Sequence, residues 1–594
     1  MTRADTYDEL SRLEDLLDEH ARIASLDPAK LPAVREQVWD LLVAAELQRD
    51  LGLDGRPEDE EFDDLLLHVD GYLCELKDAQ IRGGLHVLGR APAAEAELDL
   101  VLAVTRLPQG GVPSLRAAVA GELGVDLHAG RREGVDAVES ECRRRLGALQ
   151  ARAWRYDGPD PTLDWVCTHL VPALRGTGGE IDAVLAALDG RFVAVGPSGS
   201  PTRGMAHVLP TGRNFYSVDP RAIPSRLAYG VGTRLAAALL ERHLDEEGRY
   251  PESVGLVVWG TAAMRTAGDD VGQALALLGV RPRWSEENGR VVGVEAIPLE
   301  ELGRPRIDVA LRVSGFFRDA FPHLLEVLDD AVGLVASLDE AGEDNYVRAN
   351  GTDDPRLFGP KPGAYGSGIL ALLESRDWRG DDDLAAVYLA WGGYAYGRGR
   401  MGVAAPEAMR RRFGAIEVAV KNQDNREHDI FDSDDYLQDH GGMVATVRAL
   451  TGRQPKAWFG DSADPGRPKV RDLAEEAARV VRSRVVNPKW IAAMRGHGYK
   501  GAFELSATVD YLFGYDATAR VVQDWMYERV TSAYVGDAEV RKFFERSNPW
   551  ALRSIAERLL EAAQRGLWAE PSPAALDTLR SALLEAEGWE EASP

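Results

Sequence analysis

Cysteine is almost absent: Cys74, Cys142 and Cys167 are the only three in 594 residues, and no two form a CxxC pair. That argues against a disulfide scaffold, a structural zinc site and an iron–sulfur cluster. Each thiol is expected as a small buried hydrophobe. No apolar run approaches the roughly 20 residues that a membrane span needs. The start, Met1-Thr2-Arg3-Ala4-Asp5, lacks the apolar core of a signal peptide. The expectation is a cytoplasmic protein with no membrane partner. Positive charge is scarce, with 69 Lys+Arg against 96 Asp+Glu and a net charge of -27, which argues against nucleic acid as a partner. A phosphate-binding GxxxxGK[ST] loop is also missing. Gly196-Pro197-Ser198-Gly199 has no lysine, and Gly359-Pro360-Lys361-Pro362-Gly363 has it misplaced. The chain is not expected to hydrolyse a nucleotide itself.

What is present is a chain too long for one core, with about three to five units as the prior. Residues 7–25, 31–50, 62–80, 92–105, 112–122, 135–153 and 178–189 carry apolar positions at helical spacing. A Gly/Pro/Ser-rich stretch at 196–204 reads as a loop or crossover. A helix over 225–246 then leads into the apolar run Val254 to Gly260. A helical segment at 269–279 and further runs, Val291–Ile297 and Ile307–Val313, follow. Strands alternating with helices predict a βα layered unit with a mainly parallel sheet. Beyond about 316 helices dominate again, apart from a β-like run at Ile416–Val420. The fold class is α/β plus α: a helical N-terminal region, a central βα unit and a large helical C-terminal region. The expected divisions are 1–190, mainly helical; 191–330, α/β; 331–465, mixed and carrying a polar segment; and 466–594, helical.

That polar segment is the densest chemistry in the chain: Lys421-Asn422-Gln423-Asp424-Asn425-Arg426-Glu427-His428-Asp429, then Asp432, Asp434, Asp435 and His440. It lacks the glycine and terminal glutamate of an EF-hand. Carboxylates with imidazoles suit Co, Ni, Zn or Mn, and a solvated acidic loop with helix caps suits the same residues. Glu75 and His86 form a second pair. On an unbroken helix they would share a face about 16 Å apart, while Gly83-Gly84 would end that helix and could fold His86 back. Arg213, Arg265, Arg318 and Arg426 sit near Gly- or Asn-rich turns, where guanidinium forks suit carboxylates.

Several long words around these positions resemble the cobaltochelatase large-subunit (CobN) family: Pro210-Thr211-Gly212-Arg213-Asn214-Phe215-Tyr216-Ser217-Val218-Asp219-Pro220, Val258-Trp259-Gly260-Thr261, Glu301 to Asp308, Ser314 to Asp319, Lys361-Pro362-Gly363-Ala364-Tyr365-Gly366, Trp391 to Tyr394, 421–436, Asn487 to Trp490, Gly498 to Ala502 and Asn548-Pro549-Trp550. The related magnesium-chelatase large subunit shares the Gly-Leu-His word at His86, but usually lacks the Lys-Asn-Gln-Asp-Asn-Arg-Glu-His-Asp form. Family large subunits are longer, so the sequence is expected to be either a fragment or a split-gene product whose partner is a separate N-terminal half. The resemblance implies Co²⁺ insertion into hydrogenobyrinic acid a,c-diamide, with Co²⁺ as substrate. ATP and Mg²⁺ would act on partners, a CobS-like AAA+ ATPase and a CobT-like subunit. It implies Glu75, His86, Glu427 and His428 as catalytic residues, with His86, Glu427, His428 and Asp432 as transient metal ligands. Arg213, Asn214, Arg318, Lys361, Tyr365 and Arg426 would bind the corrinoid. Alternatives are a magnesium or nickel chelatase, a tetrapyrrole carrier or scaffold, and a metal buffer.

Overall fold

The computed structural model describes residues 1–592 apart from 54, 130 and 217. Its centre is an eight-stranded sheet. Five parallel strands, in spatial order Leu357–Gly359, Asp308–Val313, Ser253–Val258, Val418–Gln423 and Lys456–Asp461, form the middle. Antiparallel strands close both edges: Tyr394–Gly397 and Arg400–Ala404 at one, Lys469–Asp472 at the other. The middle strands are buried on both faces, which is why they read as short continuous apolar runs. Alternate residues still divide between two cores. Val254, Leu256, Val309, Leu311, Val418 and Val420 enter one, while Val257, Ala310 and Ala419 enter the other.

Helices Arg226–Glu247, Asp269–Leu277 and Pro322–Ala336 contribute to the first core, and Asp381–Gly392, Gly442–Thr451 and Gly498–Ala519 to the second. Helices Arg226–Glu247 and Asp269–Leu277 meet at glycines: a Cβ on Gly232 would stand 2.3 Å from the Gln273 nitrogen. Two smaller helical cores precede the sheet, one in residues 10–76 and one in 98–206.

The expected helical N-terminus, mainly parallel sheet and helical C-terminus are all present. The expected helices at 7–25 and 135–153 appear as Asp8–Leu26 and Arg132–Ala151. Two readings need correcting. The run at Val291–Ile297 lies outside the main sheet, because Asn288-Gly289 turns the chain and Val291–Ala296 pairs antiparallel with Val280–Trp284. The main sheet also draws strands from Ser253 to Asp472, so it runs across the expected division at 330/331. Pro488 and Pro549 occupy first helical positions, where the missing N–H costs no hydrogen bond.

Candidate active site

The chain enters the sheet at Ser253–Val258 and later builds strands on both sides of it, which makes a topological switch point. Crevices outside the carboxyl ends of strands at such a point are where α/β sheets hold ligands. Near those ends, at Val418–Gln423 and Lys456–Asp461, lies a cleft of about 840 Å³. Its sheet side carries Arg426, His428, Asp461 and the 463–467 turn. Its helical side carries Glu75 on helix Phe62–Asp78 and Arg116 on helix Leu115–Leu123. Helix Leu473–Val480 supplies Glu476 and Arg479.

Local hydrogen bonds shape the loop after Val418–Gln423. The Asn425 side-chain oxygen accepts from the backbone N–H groups of Glu427 (3.1 Å) and His428 (3.2 Å), which folds the chain tightly. The Gln423 amide donates to the His428 carbonyl at 2.6 Å. The crossover loop is pinned by buried Arg203, which donates to the Asp424 carbonyl (2.7 Å), to the Ser462 carbonyl and to Asp269 (2.6 Å). Gly204 follows with φ 82°, and a Cβ there would meet the Pro108 carbonyl oxygen at 2.7 Å; only glycine fits.

In a chain of net charge -27, the cleft lining is locally basic, with eight Lys and Arg against six carboxylates. Most of these charges are paired. Arg426 bonds Asp461 at 2.8 Å, and Arg471 bridges Asp461 and Glu75. Burial pushes the Glu75 carboxyl up, but Arg471, Arg479 and Lys469 more than offset this and hold it below its ordinary range. Asp461 is likewise held low by Arg426 and Arg471 against the effect of burial. Asp424 receives two 2.7 Å bonds from Arg265.

The structure brings three of the sequence-predicted residues, Glu75, Arg426 and His428, into this one cleft. Glu427 points instead to the crossover loop, accepting from Ser200 Oγ and Thr202 Oγ1 at 2.7 Å. Asp432 is buried, with Arg82 beside it and Arg484 at 3.5 Å, while Asp429 is gripped by Arg484 through two bonds. His86 diverges from Glu75 because helix Phe62–Asp78 ends before strand Gln80–Ile81; its Nε2 meets Glu180 at 2.9 Å. Arg318 is 3% exposed and spends its donors on Asp319 and on the carbonyls of Pro360, Lys361 and Ala364. Tyr365 donates to Asp319 at 2.7 Å, and Lys361 is exposed beside it. Arg213 and Asn214 are exposed, with Asn214 opening the small strand Asn214–Tyr216. His86, Glu427, Asp432, Arg213, Asn214, Arg318, Lys361 and Tyr365 do not line the cleft, whereas Asp429, held by Arg484, does. Sequence reasoning missed His128, Arg467, Lys469 and Arg471, which do line it. None lies in a polar word that stands out, and only folding brings them together.

Fold and cleft define an α/β protein with a large cleft at the carboxyl ends of a mainly parallel sheet, walled by helices. The model of the CobN/Magnesium Chelatase family matches residues 1–575, so the chain belongs to that family. It is 45% identical to the aerobic cobaltochelatase subunit CobN of Pseudomonas aeruginosa, covering 99% of this chain and 51% of that protein. To the subunit of the same name from Sinorhizobium sp. it is 42% identical, covering 97% and 50%. The solved catalytic subunit of cobaltochelatase from Mycobacterium tuberculosis superposes with TM-score 0.95 at 58% identity, over 99% of this chain and 52% of that one. The chain thus spans about half the length of these relatives.

Proposed function

We propose that this chain is the tetrapyrrole-binding, catalytic part of an ATP-dependent cobaltochelatase, acting in the cytoplasm to insert Co²⁺ into hydrogenobyrinic acid a,c-diamide. The observation that carries the reading is the meeting of Glu75, Arg426 and His428 in one large, locally basic cleft of a chain from this family. Insertion removes two pyrrolic protons and strips water from the ion. His428 is the group for the proton, because its imidazole lines the cleft, can act as a general acid or base, and makes no side-chain hydrogen bond among the described residues. Glu75, kept ionised by Arg471, balances the positive charge arriving with the metal. Weak nitrogen and oxygen donors pass an ion on without trapping it. Asp432 is left out of the metal path, since Arg82 and Arg484 already neutralise it. ATP and Mg²⁺ belong to partner subunits, a CobS-like ATPase and a CobT-like protein, and the remainder of the family-length subunit completes the assembly.

The test is absorbance titration with hydrogenobyrinic acid a,c-diamide, followed by Co²⁺ and ATP in the full complex. A Co²⁺- and ATP-dependent spectral change is expected. His428→Ala should retain substrate binding and slow insertion about 100-fold, the usual contribution of a proton-transfer group. Unchanged insertion by that variant would remove His428 from the mechanism, and no tetrapyrrole binding by the complete complex would remove the reading.

A further inference from the structure

Two cations of the cleft differ from the rest. Arg426 and Arg471 share Asp461, Arg479 is paired with Glu476, and Arg203 with Asp269. Arg467 and Lys469, by contrast, line the cleft, are exposed, and make no direct ion pair with a carboxylate among the described residues. Arg467 sits on the turn joining Lys456–Asp461 to the antiparallel edge strand Lys469–Asp472, and Lys469 opens that strand.

That turn is stiffly built. The Asp464 carboxylate accepts from the Gly466 N–H (2.9 Å), and its carbonyl accepts from the Arg467 N–H (3.0 Å). Arg234 donates to the Pro465 carbonyl at 2.7 Å, and the Ser462 N–H donates to the Gln423 carbonyl at 2.8 Å. Pro465 and Pro468 flank the tip. Two unpaired cations are thus held on a braced backbone at the edge of a cleft whose other cations are already neutralised. Lys469 also lies close enough to Glu75 to help keep it ionised, so this edge and the Glu75 wall face the same space.

We infer that Arg467 and Lys469 grip the ionised peripheral carboxylates of the tetrapyrrole and so select acid over amidated or esterified side chains. This rests on the tetrapyrrole reading above. An ammonium and a planar guanidinium, one a point charge and the other a two-pronged fork, suit two separate carboxylates on the rim of a macrocycle. Neither cation makes a direct ion pair among the described residues, Lys469 acting on Glu75 only from a distance, so the ligand would carry the carboxylates they contact.

The test uses hydrogenobyrinic acid a,c-diamide and its fully methyl-esterified form, titrated by absorbance against the chain together with the remainder of the family-length subunit. Wild type should bind the acid form more tightly than the ester. Arg467→Ala and Lys469→Ala should each weaken the acid form about tenfold, as expected for a lost hydrogen bond to a charged group, and leave the ester unchanged. Lys469→Arg should recover most of the loss, and added salt should narrow the acid–ester difference. An equal loss for both forms, or no loss for either, overturns the inference while leaving tetrapyrrole binding standing. Wild type that binds neither form removes the tetrapyrrole reading, and this inference with it.

Discussion

His440 sits between a phenol and a carbonyl: its Nδ1 accepts from Tyr515 at 2.8 Å, and its Nε2 donates to Ala419 at 3.0 Å. Both bonds require the neutral ring, and burial lowers its pKa to about 4. The unfolded chain takes up a proton near pH 6.5 that the folded chain refuses. His440 therefore contributes stability above pH 6.5 that is lost as pH falls through 6.5 towards 4. The shift is worth up to about 3 kcal/mol. Urea unfolding should show the wild-type advantage over His440→Asn shrinking by up to that amount between pH 7 and 4. His440 belongs to the same polar segment as His428, yet one is sealed and the other lines a cleft. Spacing in the chain does not distinguish them, because solvent access is set by what packs on top. Two of the three thiols, Cys74 and Cys142, are buried as expected, while Cys167 is half-buried. Burial pushes Cys74 up to about 11 and Cys142 to about 12, so both should resist alkylation at pH 8 in the native protein.

The elements that frame the cleft depend on close local fits. Helices Arg226–Glu247 and Asp269–Leu277 approach through Gly232 and Gly272, with backbone where a side chain would stand. Gly232→Ala would improve helix propensity by up to about 1 kcal/mol, but its methyl would be driven into the Gln273 backbone. The overpacking, about 1–3 kcal/mol, wins, so urea denaturation should show a net loss. Helix Leu473–Val480, which presents Glu476 and Arg479, starts with a reciprocal cap between Asp472 and Glu475. Asp472→Ala should cost about 1 kcal/mol, read from the same denaturation curves. The cap spacing is visible in the chain. The helix crossing is not, since a glycine in a helical pattern carries no sign of what approaches it.

Across the whole molecule, one side chain ties the crossover loop to two strand ends and a helix. Arg203 is 8% exposed, and its removal would leave Asp269 buried without its cation. Burial already pushes Asp269 up to about 7, so it would protonate once Arg203 is gone. Arg203→Ala should destabilise by about 1–3 kcal/mol for the acceptors left unpaired, measured by urea or thermal unfolding, and should loosen the cleft wall formed by Thr202 and Gly204. The sequence by itself determined most of the helical segments, three of the five parallel strands and the polar loop, because each is written in a local period, a cap or a run of one residue class. Only the tertiary structure decided that Glu75 meets Arg471 across 396 positions, that His86 turns away to Glu180, and that Arg318 spends its charge on carbonyls. Those outcomes follow from how sheet and helices pack, and an ion pair between distant residues has no period from which to be read.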